Sequence, residues 1–202
     1  MRRICDEGKC TACGACVQAC PKKCIEKIVI KDASFYYSID EKKCISCKKC
    51  ERVCPGLNLP IFNKAKKSYA AWRTDSTLHF ESASGGIATA FYEYAVTQKM
   101  FFSGVSLNDK FEAHFKLTNQ VEDIKDFKNS KYTFSFASDI FDEILDKLKC
   151  GYDVLFIGLP CQVAAIKNLV RITTVKGNLI TVDLVCHGTP PPIYLQQHIK
   201  AI

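Results

Sequence analysis

The sequence has no run of 18 or more consecutive apolar residues, and it therefore predicts no membrane-spanning helix. It also has no apolar segment near its start, because charged residues and cysteines follow Met1. A secretory signal peptide requires such a segment, so we expect a cytoplasmic protein. No stretch is low enough in hydrophobicity to predict disorder. The 202 residues suffice for a small module and one α/β domain.

Cysteine, by contrast, is abundant. The chain has thirteen cysteines, and ten of them lie within the first 54 residues. In a cytosolic protein this density indicates metal or redox chemistry before it indicates disulfides. Eight of the ten form two copies of the motif C-x2-C-x2-C-x3-C-P, with the same spacing in both. The first copy is Cys10, Cys13, Cys16, Cys20 and Pro21, and the second is Cys44, Cys47, Cys50, Cys54 and Pro55.

The repeated motif predicts two [4Fe–4S] clusters. Three closely spaced cysteines can bind three irons of one cubane, and in two-cluster ferredoxins the fourth ligand comes from the other copy. Zinc is the alternative, but two identical four-cysteine copies followed by proline favour clusters. Cys5 and Cys24 lie outside the motifs, and we expect them to be unligated thiols. The predicted ligand sets are Cys10, Cys13, Cys16 and Cys54 for one cluster, and Cys44, Cys47, Cys50 and Cys20 for the other.

Positive charge is concentrated in the same part of the chain. Residues 1–67 contain 15 Lys and Arg against 7 Asp and Glu, whereas the rest contains 13 against 14. Basic side chains beside the cysteines can attract an acidic redox partner, although an ordinary solvated face is equally compatible with them. We expect no nucleic-acid partner, because the clusters are negatively charged and no DNA- or RNA-binding motif is present. The residues concerned are Lys22, Lys23, Lys42, Lys43, Lys48, Lys49 and Arg52.

The pattern of the chain changes after the second motif. Between the motifs, residues 25–39 contain two short β-like runs joined by a predicted turn at 31–34. Residues 57–67 are predicted to form a linker, and from Ser68 strands alternate with amphipathic helices. We therefore predict an α+β ferredoxin-like 2[4Fe–4S] module over residues 1–67. Residues 68–202 are predicted to form an α/β domain with a mostly parallel, doubly wound sheet.

Three residues lie at predicted strand ends in the second half. Cys161 follows a strand, with Pro160 at the first position of a helix whose dipole should favour the ionised thiol. Cys186 and His187 follow the next strand, and consecutive parallel strands end at one edge of a sheet, so we expect the two cysteines to be neighbours. The alternative is two core cysteines. On the first interpretation Cys161, Cys186 and His187 are candidate catalytic residues.

Two further segments are candidates for cofactor binding. Ser84, Gly85 and Gly86 precede a predicted helix whose amides could hold a phosphate, although Ser-Gly-Gly is also a common turn. Lys131 and Tyr132 lie in a predicted loop, where they could contact a phosphate or an isoalloxazine ring, or form a surface turn. Neither segment identifies a cofactor by itself.

Taken together, these segments resemble one family. Residues 82–90 (SASGGIATA), 130–132 (SKY), 158–165 (GLPCQVAA) and 183–190 (DLVCHGTP) are similar, in this order, to the beta subunits of coenzyme F420-reducing hydrogenases and dehydrogenases. A paired ferredoxin motif ahead of them is common in that family. The resemblance implies an FAD that exchanges hydride with a deazaflavin (F420) or another organic substrate, and single electrons with iron–sulfur clusters.

The sequence leaves two functional hypotheses. The first is an iron–sulfur flavoprotein oxidoreductase, whose partners would be another subunit or an acidic redox protein and a small organic hydride donor or acceptor. The second is a non-catalytic, ferredoxin-type electron-carrier subunit. The family continues well past the Cys-His-Gly motif at 186–188, so we expect a truncated, incomplete flavin domain, which favours the second. Cys161 and Cys186, with only Cys150 in addition, do not supply a complete third cluster.

Overall fold

The computed structural model describes residues 2–30, 34–59 and 63–201. Within these ranges the chain forms a three-stranded sheet, a four-stranded sheet and eight α-helices. None of the described helices is both long and apolar enough to cross a membrane. The strands are β1 (Arg2–Arg3), β2 (Ile25–Val29), β3 (Phe35–Ile39), β4 (Phe101–Leu107), β5 (Ala113–Thr118), β6 (Val154–Gly158) and β7 (Leu179–Asp183). The helices are α1 (Ala15–Ala19), α2 (Lys49–Val53), α3 (Ser76–Phe80), α4 (Ile87–Thr97), α5 (Ile124–Phe127), α6 (Ser138–Lys149), α7 (Pro160–Arg171) and α8 (Pro192–Ala201).

The first sheet belongs to the cysteine-rich module. Its central strand, β3, pairs antiparallel with β1 on one side and with β2 on the other. The predicted hairpin of β2 and β3 is therefore present, with Ile25 opposite Ile39 and Val29 opposite Phe35. Residues 31–33 of its predicted turn lie outside the described residues. Helices α1 and α2 each contain the third cysteine of one motif.

The second sheet is mixed, with the strand order β5-β4-β6-β7. Strands β4, β6 and β7 are parallel, but β5 pairs antiparallel with β4, so the prediction of a mostly parallel, doubly wound sheet is confirmed in part. The reason is the short connection at 108–112, because a parallel crossover requires about a dozen residues or more. The Asn108 side chain closes this connection by accepting hydrogen bonds from the backbone N–H groups of Lys110 and Glu112.

The main core lies between the second sheet and helices α6 and α7. Ile144 of α6, Phe156 of β6 and Ile166 of α7 are fully buried in it. Ala15 from α1 and Val53 from α2 are fully buried in the same cluster. The helices of the two cysteine motifs therefore pack against the core of the α/β region, and burial of shared apolar surface holds the module in place.

Polar contacts fix the orientation of the module on this core. Gln18 of α1 donates from Nε2 to the carbonyl oxygen of Ser138 over 2.5 Å. Asn168 of α7 is buried, and its Nδ2 donates to the carbonyl oxygens of Val53 and Asn58 over 3.2 and 3.1 Å. These amide side chains provide partners for backbone carbonyls that are otherwise removed from water. The two motifs are thus held at defined positions beside α6 and α7.

Candidate metal centres

The two cysteine motifs adopt the same backbone conformation. Ala12 and Ser46 have φ angles of 52° and 55°, and Gly14 and Lys48 have φ angles of 81° and 58°. These left-handed residues fold each three-cysteine loop tightly before its helix begins. The fourth cysteine ends the helix in an extended conformation, and the proline after it favours that conformation. The repeat in sequence is therefore a repeat in structure.

Two cavities lie between the motifs. Cavity 1 is lined by three cysteines of the first motif and the fourth of the second. Cavity 2 is lined by three cysteines of the second motif and the fourth of the first. The motif cysteines are Cys10, Cys13, Cys16 and Cys54 at cavity 1, and Cys44, Cys47, Cys50 and Cys20 at cavity 2.

These donor sets fit two [4Fe–4S] clusters. A cubane takes one thiolate at each of four irons, so its ligands surround a volume instead of meeting at one point. Each cavity has four motif thiols around it, and among the described residues no three Cys, His, Asp or Glu side chains converge on a single ion position. The placement of Cys20 and Cys54 supports the crossed ligand assignment, which remains a prediction.

Backbone amides point at ligand sulfurs in cavity 2. The N–H of Ser46 donates to Cys44 Sγ over 3.4 Å, and the N–H of Cys24 donates to Cys20 Sγ over 3.5 Å. Hydrogen bonds of this kind stabilise the negative charge of a thiolate. They also contribute to the reduction potential of a bound cluster.

Burial opposes ionisation of two motif thiols at cavity 1, those of Cys13 and Cys16. It raises the pKa of Cys13 to about 12, because desolvation disfavours the thiolate. Burial also raises the pKa of Cys16, and the negative charge of Cys13 adds to the effect. Tyr37 lines the same cavity, and burial raises its pKa to about 12. Since thiolates bind iron, formation of a cluster here must release protons.

The two cavities face different surroundings. Gly14, in the wall of cavity 1, lies against Ser138 at the start of α6, so this cavity borders the α/β region. At cavity 2, Cys47 is exposed, and the exposed residues Lys22 and Lys48 form part of the lining. Cavity 2 therefore has a motif thiol exposed to solvent beside positively charged side chains.

Cys161 lies where cavity 1 meets the edge of the second sheet. It occupies the first turn of α7 and is half-buried. Its thiol is hydrogen-bonded to the Thr11 hydroxyl, and it is close enough to Cys13 and Cys186 for charge on one to affect the others. Burial raises the pKa of Cys161, and the Thr11 hydrogen bond only partly opposes it. The predicted readily ionised thiol is therefore wrong, because desolvation outweighs the helix dipole.

Cys186 and His187 lie just beyond β7 at the same edge. Strands β6 and β7 are parallel neighbours, so their ends meet as expected from the sequence. Both residues are exposed, and the N–H of Gly188 donates to Cys186 Sγ over 3.4 Å. The structure thus brings Cys161 and Cys186 to one edge, and neither is a fully buried core residue. A catalytic role for Cys161, Cys186 and His187 remains a prediction.

The segment Ser84-Gly85-Gly86 immediately precedes α4, and no side chain caps that helix. Its first amides are therefore available to an anionic group. Both glycines also have a packing role. A Cβ on Gly85 would lie 2.7 Å from the carbonyl oxygen of Ala71, and one on Gly86 would lie 2.8 Å from the Arg73 side chain. The loop is packed tightly on residues 71–73.

Lys131 and Tyr132 differ in what they can offer a ligand. Lys131 is half-buried, and its Nζ donates to the carbonyl oxygens of Asp126 and Lys128 over 3.0 and 2.5 Å. Burial lowers the pKa of its ammonium group. Tyr132 is 86% exposed. An ion pair of 2.7 Å between Lys128 and Glu81 links this loop to the segment before α4, so the two predicted cofactor segments are neighbours.

Three residues that contact these centres were not predicted from the sequence. Cys5 lines cavity 1 and Cys24 lines cavity 2, although both lie outside the motifs. Thr11 joins the first motif to Cys161. Cys5 and Cys24 reach the cavities through the β1-β3-β2 sheet, and Thr11 reaches Cys161 through docking of the module. Neither effect leaves a periodic or spacing signal in the sequence.

Comparison with known proteins agrees with this geometry. Residues 6–57 match the family described as 4Fe-4S dicluster domain. Residues 151–201 match the family described as the C terminus of the beta subunit of coenzyme F420 hydrogenase/dehydrogenase. The resemblance to the beta-subunit family is confirmed. The dicluster domain supports the iron–sulfur interpretation of the two cavities.

A solved structure extends the comparison to the fold. A chain of the F420-reducing [NiFe] hydrogenase complex from Methanosarcina barkeri is similar, with a TM-score of 0.54 and 22% sequence identity. The match covers 64% of this chain and 47% of that chain, so this protein spans about half the length of its solved relative. At this identity the similarity concerns the fold alone. No curated protein matches the chain.

Proposed function

We propose that this chain is the iron–sulfur electron-transfer part of an oxidoreductase complex related to the F420 hydrogenases and dehydrogenases. The observation that carries the proposal is the position of the two four-thiol cavities. Cavity 2 has an exposed motif thiol, Cys47, beside exposed lysines, and cavity 1 borders Cys161 at the edge of the second sheet. Bound clusters supply one-electron chemistry at these two positions. The chain therefore connects a docking surface to the edge at which open α/β sheets bind ligands.

The basic surface beside cavity 2 is the proposed docking surface for another subunit or an acidic redox protein. Its core is Lys22 and Lys48, which line the cavity, and Arg2, which lines it from β1. A local positive potential of this kind raises the association rate of negatively charged reactants. The effect weakens with salt, because the Debye length falls from about 10 Å at 0.1 M to about 3 Å at 1 M.

Reduction of the protein by dithionite, an anion, should therefore slow several-fold as ionic strength rises from about 0.01 to about 1 M. Replacing Lys22 and Lys48 together with alanine should slow the reaction at low salt and remove most of its salt dependence. Stopped-flow absorbance measures the rate. The matched control is the pair Lys167 and Lys176, also exposed, replaced with alanine. An equal effect in the control pair would show that net charge alone is responsible.

Flavin binding is the more specific part of the proposal. FAD would interconvert two-electron hydride chemistry, with F420 or another organic substrate, and one-electron chemistry. The residues present fit part of such a cofactor: the uncapped amides after Gly86 suit a phosphate, and exposed Tyr132 suits ring contact. Cys161, Cys186 and His187 lie at the sheet edge as the proposed residues nearest the substrate.

A non-catalytic electron carrier is the second candidate, and Lys131 favours it. Its ammonium group is held by two carbonyl oxygens of its own loop, so it has a structural partner without any phosphate. Gly85 and Gly86 likewise have packing reasons for lacking a side chain. On this alternative the second sheet serves to hold the module, and no flavin binds.

Titration with FAD under anaerobic conditions distinguishes the two candidates. We expect near-stoichiometric binding, measured by quenching of flavin fluorescence, and about 2- to 10-fold weaker binding after Tyr132→Ala, because stacking on an aromatic ring is worth about 0.5–1.5 kcal/mol. Tyr69→Ala is the matched control, since Tyr69 is 80% exposed. Failure of the unsubstituted protein to bind FAD would favour the carrier.

A further inference from the structure

Each cavity is lined by five thiols, although a cluster requires four. At cavity 1 the fifth is Cys5, which is 9% exposed, and at cavity 2 it is Cys24, which is 2% exposed. The two residues lie on either side of the central strand, since Cys5 comes two residues after β1 and Cys24 immediately precedes β2. Both are therefore held by the first sheet and not by the motif loops.

The two fifth thiols occupy corresponding places in their cavities. Cys5 lines cavity 1 together with Cys10, the first cysteine of one motif, and Cys54, the cysteine contributed by the other. Cys24 lines cavity 2 together with Cys44, the first cysteine of the second motif, and its Sγ lies 3.4 Å from that of Cys20, the cysteine contributed by the first. In both cavities the extra thiol thus lies at the point where the two motifs meet.

This correspondence does not follow from the sequence repeat. The repeat equivalent of Cys5 is Ile39, and that of Cys24 is Asn58, whose side chain donates to the carbonyl oxygen of Glu51. Both loops therefore fold without a thiol at these equivalent positions. Cys5 and Cys24, which are not equivalent in the repeat, therefore place a fifth thiol at corresponding points of the two cavities.

We propose that Cys5 and Cys24 are not cluster ligands but positioning residues that donate S–H···S hydrogen bonds to ligand sulfurs and set the potentials of the two clusters. A free thiol has a pKa of about 8.5 and is protonated at neutral pH, so it is a weak donor beside a thiolate acceptor. Hydrogen bonds to cluster sulfurs contribute to the reduction potential. Because they stabilise the more negative, reduced form, they should raise that potential.

The inference rests on the proposed cluster sites, and its test distinguishes failure of the inference from failure of the cluster proposal. Cys5→Ala, Cys24→Ala and the double variant should each retain about eight iron atoms per chain, as the unsubstituted protein should. In an anaerobic potentiometric titration monitored by EPR and absorbance, the midpoint potentials of these variants should be more negative than those of the unsubstituted protein. Each single variant should shift the potential of one cluster, which is half of the titration curve. The double variant should shift the potentials of both clusters.

Serine variants and a remote cysteine provide the controls. Cys5→Ser and Cys24→Ser retain a donor of similar size, so their shifts should be smaller than those of the alanine variants. Cys150→Ala removes an exposed thiol outside both cavities and should shift nothing. Loss of about four irons in a single alanine variant would identify that residue as a ligand and overturn the inference. An unchanged or more positive potential with full iron would also overturn it, whereas low iron in the unsubstituted protein would refute the cluster proposal itself.

Discussion

Replacing Cys54 with alanine should lower the iron content of the protein from about eight to about four atoms per chain. Cys54 belongs to the second motif, yet it lines cavity 1 with the first three cysteines of the first motif. Without it, one iron of that cubane lacks a protein ligand, and we expect the cluster at cavity 1 to be lost. The cluster at cavity 2 should remain, because its four thiols are untouched.

Iron content alone does not say which cluster is lost, but double variants do. If Cys54 and Cys13 serve one cluster, Cys54→Ala/Cys13→Ala should lose no more iron than either single variant. If Cys54 and Cys47 serve different clusters, Cys54→Ala/Cys47→Ala should lose nearly all of the iron. Residues that act as one unit are non-additive, whereas independent ones add, and this distinguishes the two pairings.

Cys150→Ala is the control for the iron measurement, because Cys150 is exposed and lies outside both cavities. It should retain about eight irons. The opposite result for the two double variants would mean that each motif supplies all four ligands of its own cluster. The crossed assignment would then be wrong, and with it the reason that Cys20 and Cys54 lie in opposite cavities.

Much of the second half of the fold could be predicted because its pattern is local. The apolar run at Val154–Gly158 is a buried strand, and the amphipathic segment ending at Lys149 is α6. The local pattern does not predict the start of a helix that a distant segment contacts. Serine is a favoured N-cap residue, but Ser138 is the first helical residue of α6, and its hydroxyl donates to Asp139 Oδ1. The helix begins one residue earlier, beside Gln18 of α1.

The cysteine spacing predicted which thiols gather, but not what surrounds them. Spacing depends on local loop geometry, and all eight motif cysteines line the two cavities. The burial of Ala15 and Val53 in the core of the α/β region depends on docking, which no local pattern encodes. The same docking places Thr11 against Cys161, whose thiol is half-buried at that boundary. The misjudged pKa of Cys161 therefore has a tertiary cause.

Gly14 shows most directly how docking constrains a motif residue. Its repeat equivalent is Lys48, and both adopt a left-handed conformation, with φ angles of 81° and 58°. Lys48 shows that this conformation does not itself require glycine. The difference is the neighbour, because a Cβ on Gly14 would lie 2.6 Å from the Cβ and 3.0 Å from the Cα of Ser138. Glycine is needed here so that the first motif can approach α6.

Gly14→Ala should therefore destabilise the protein by about 2–5 kcal/mol, combining a left-handed alanine with overpacking against a helix backbone. For a chain of this size that corresponds to a fall in Tm of roughly 4–20 °C. Thermal unfolding followed by far-UV circular dichroism measures it. The cluster at cavity 1 should also become more labile, since Gly14 lies in the cavity wall.

Lys48→Ala is the matched control, and it should change stability by less than about 1 kcal/mol, because a side chain already occupies that left-handed position. Adding Ser138→Gly to Gly14→Ala should restore part of the lost stability, since it removes the atom at 2.6 Å but leaves the Cα at 3.0 Å. Equal losses for Gly14→Ala and Lys48→Ala would show that backbone conformation alone is responsible. In that case the approach of the first motif to α6 would not be what requires glycine.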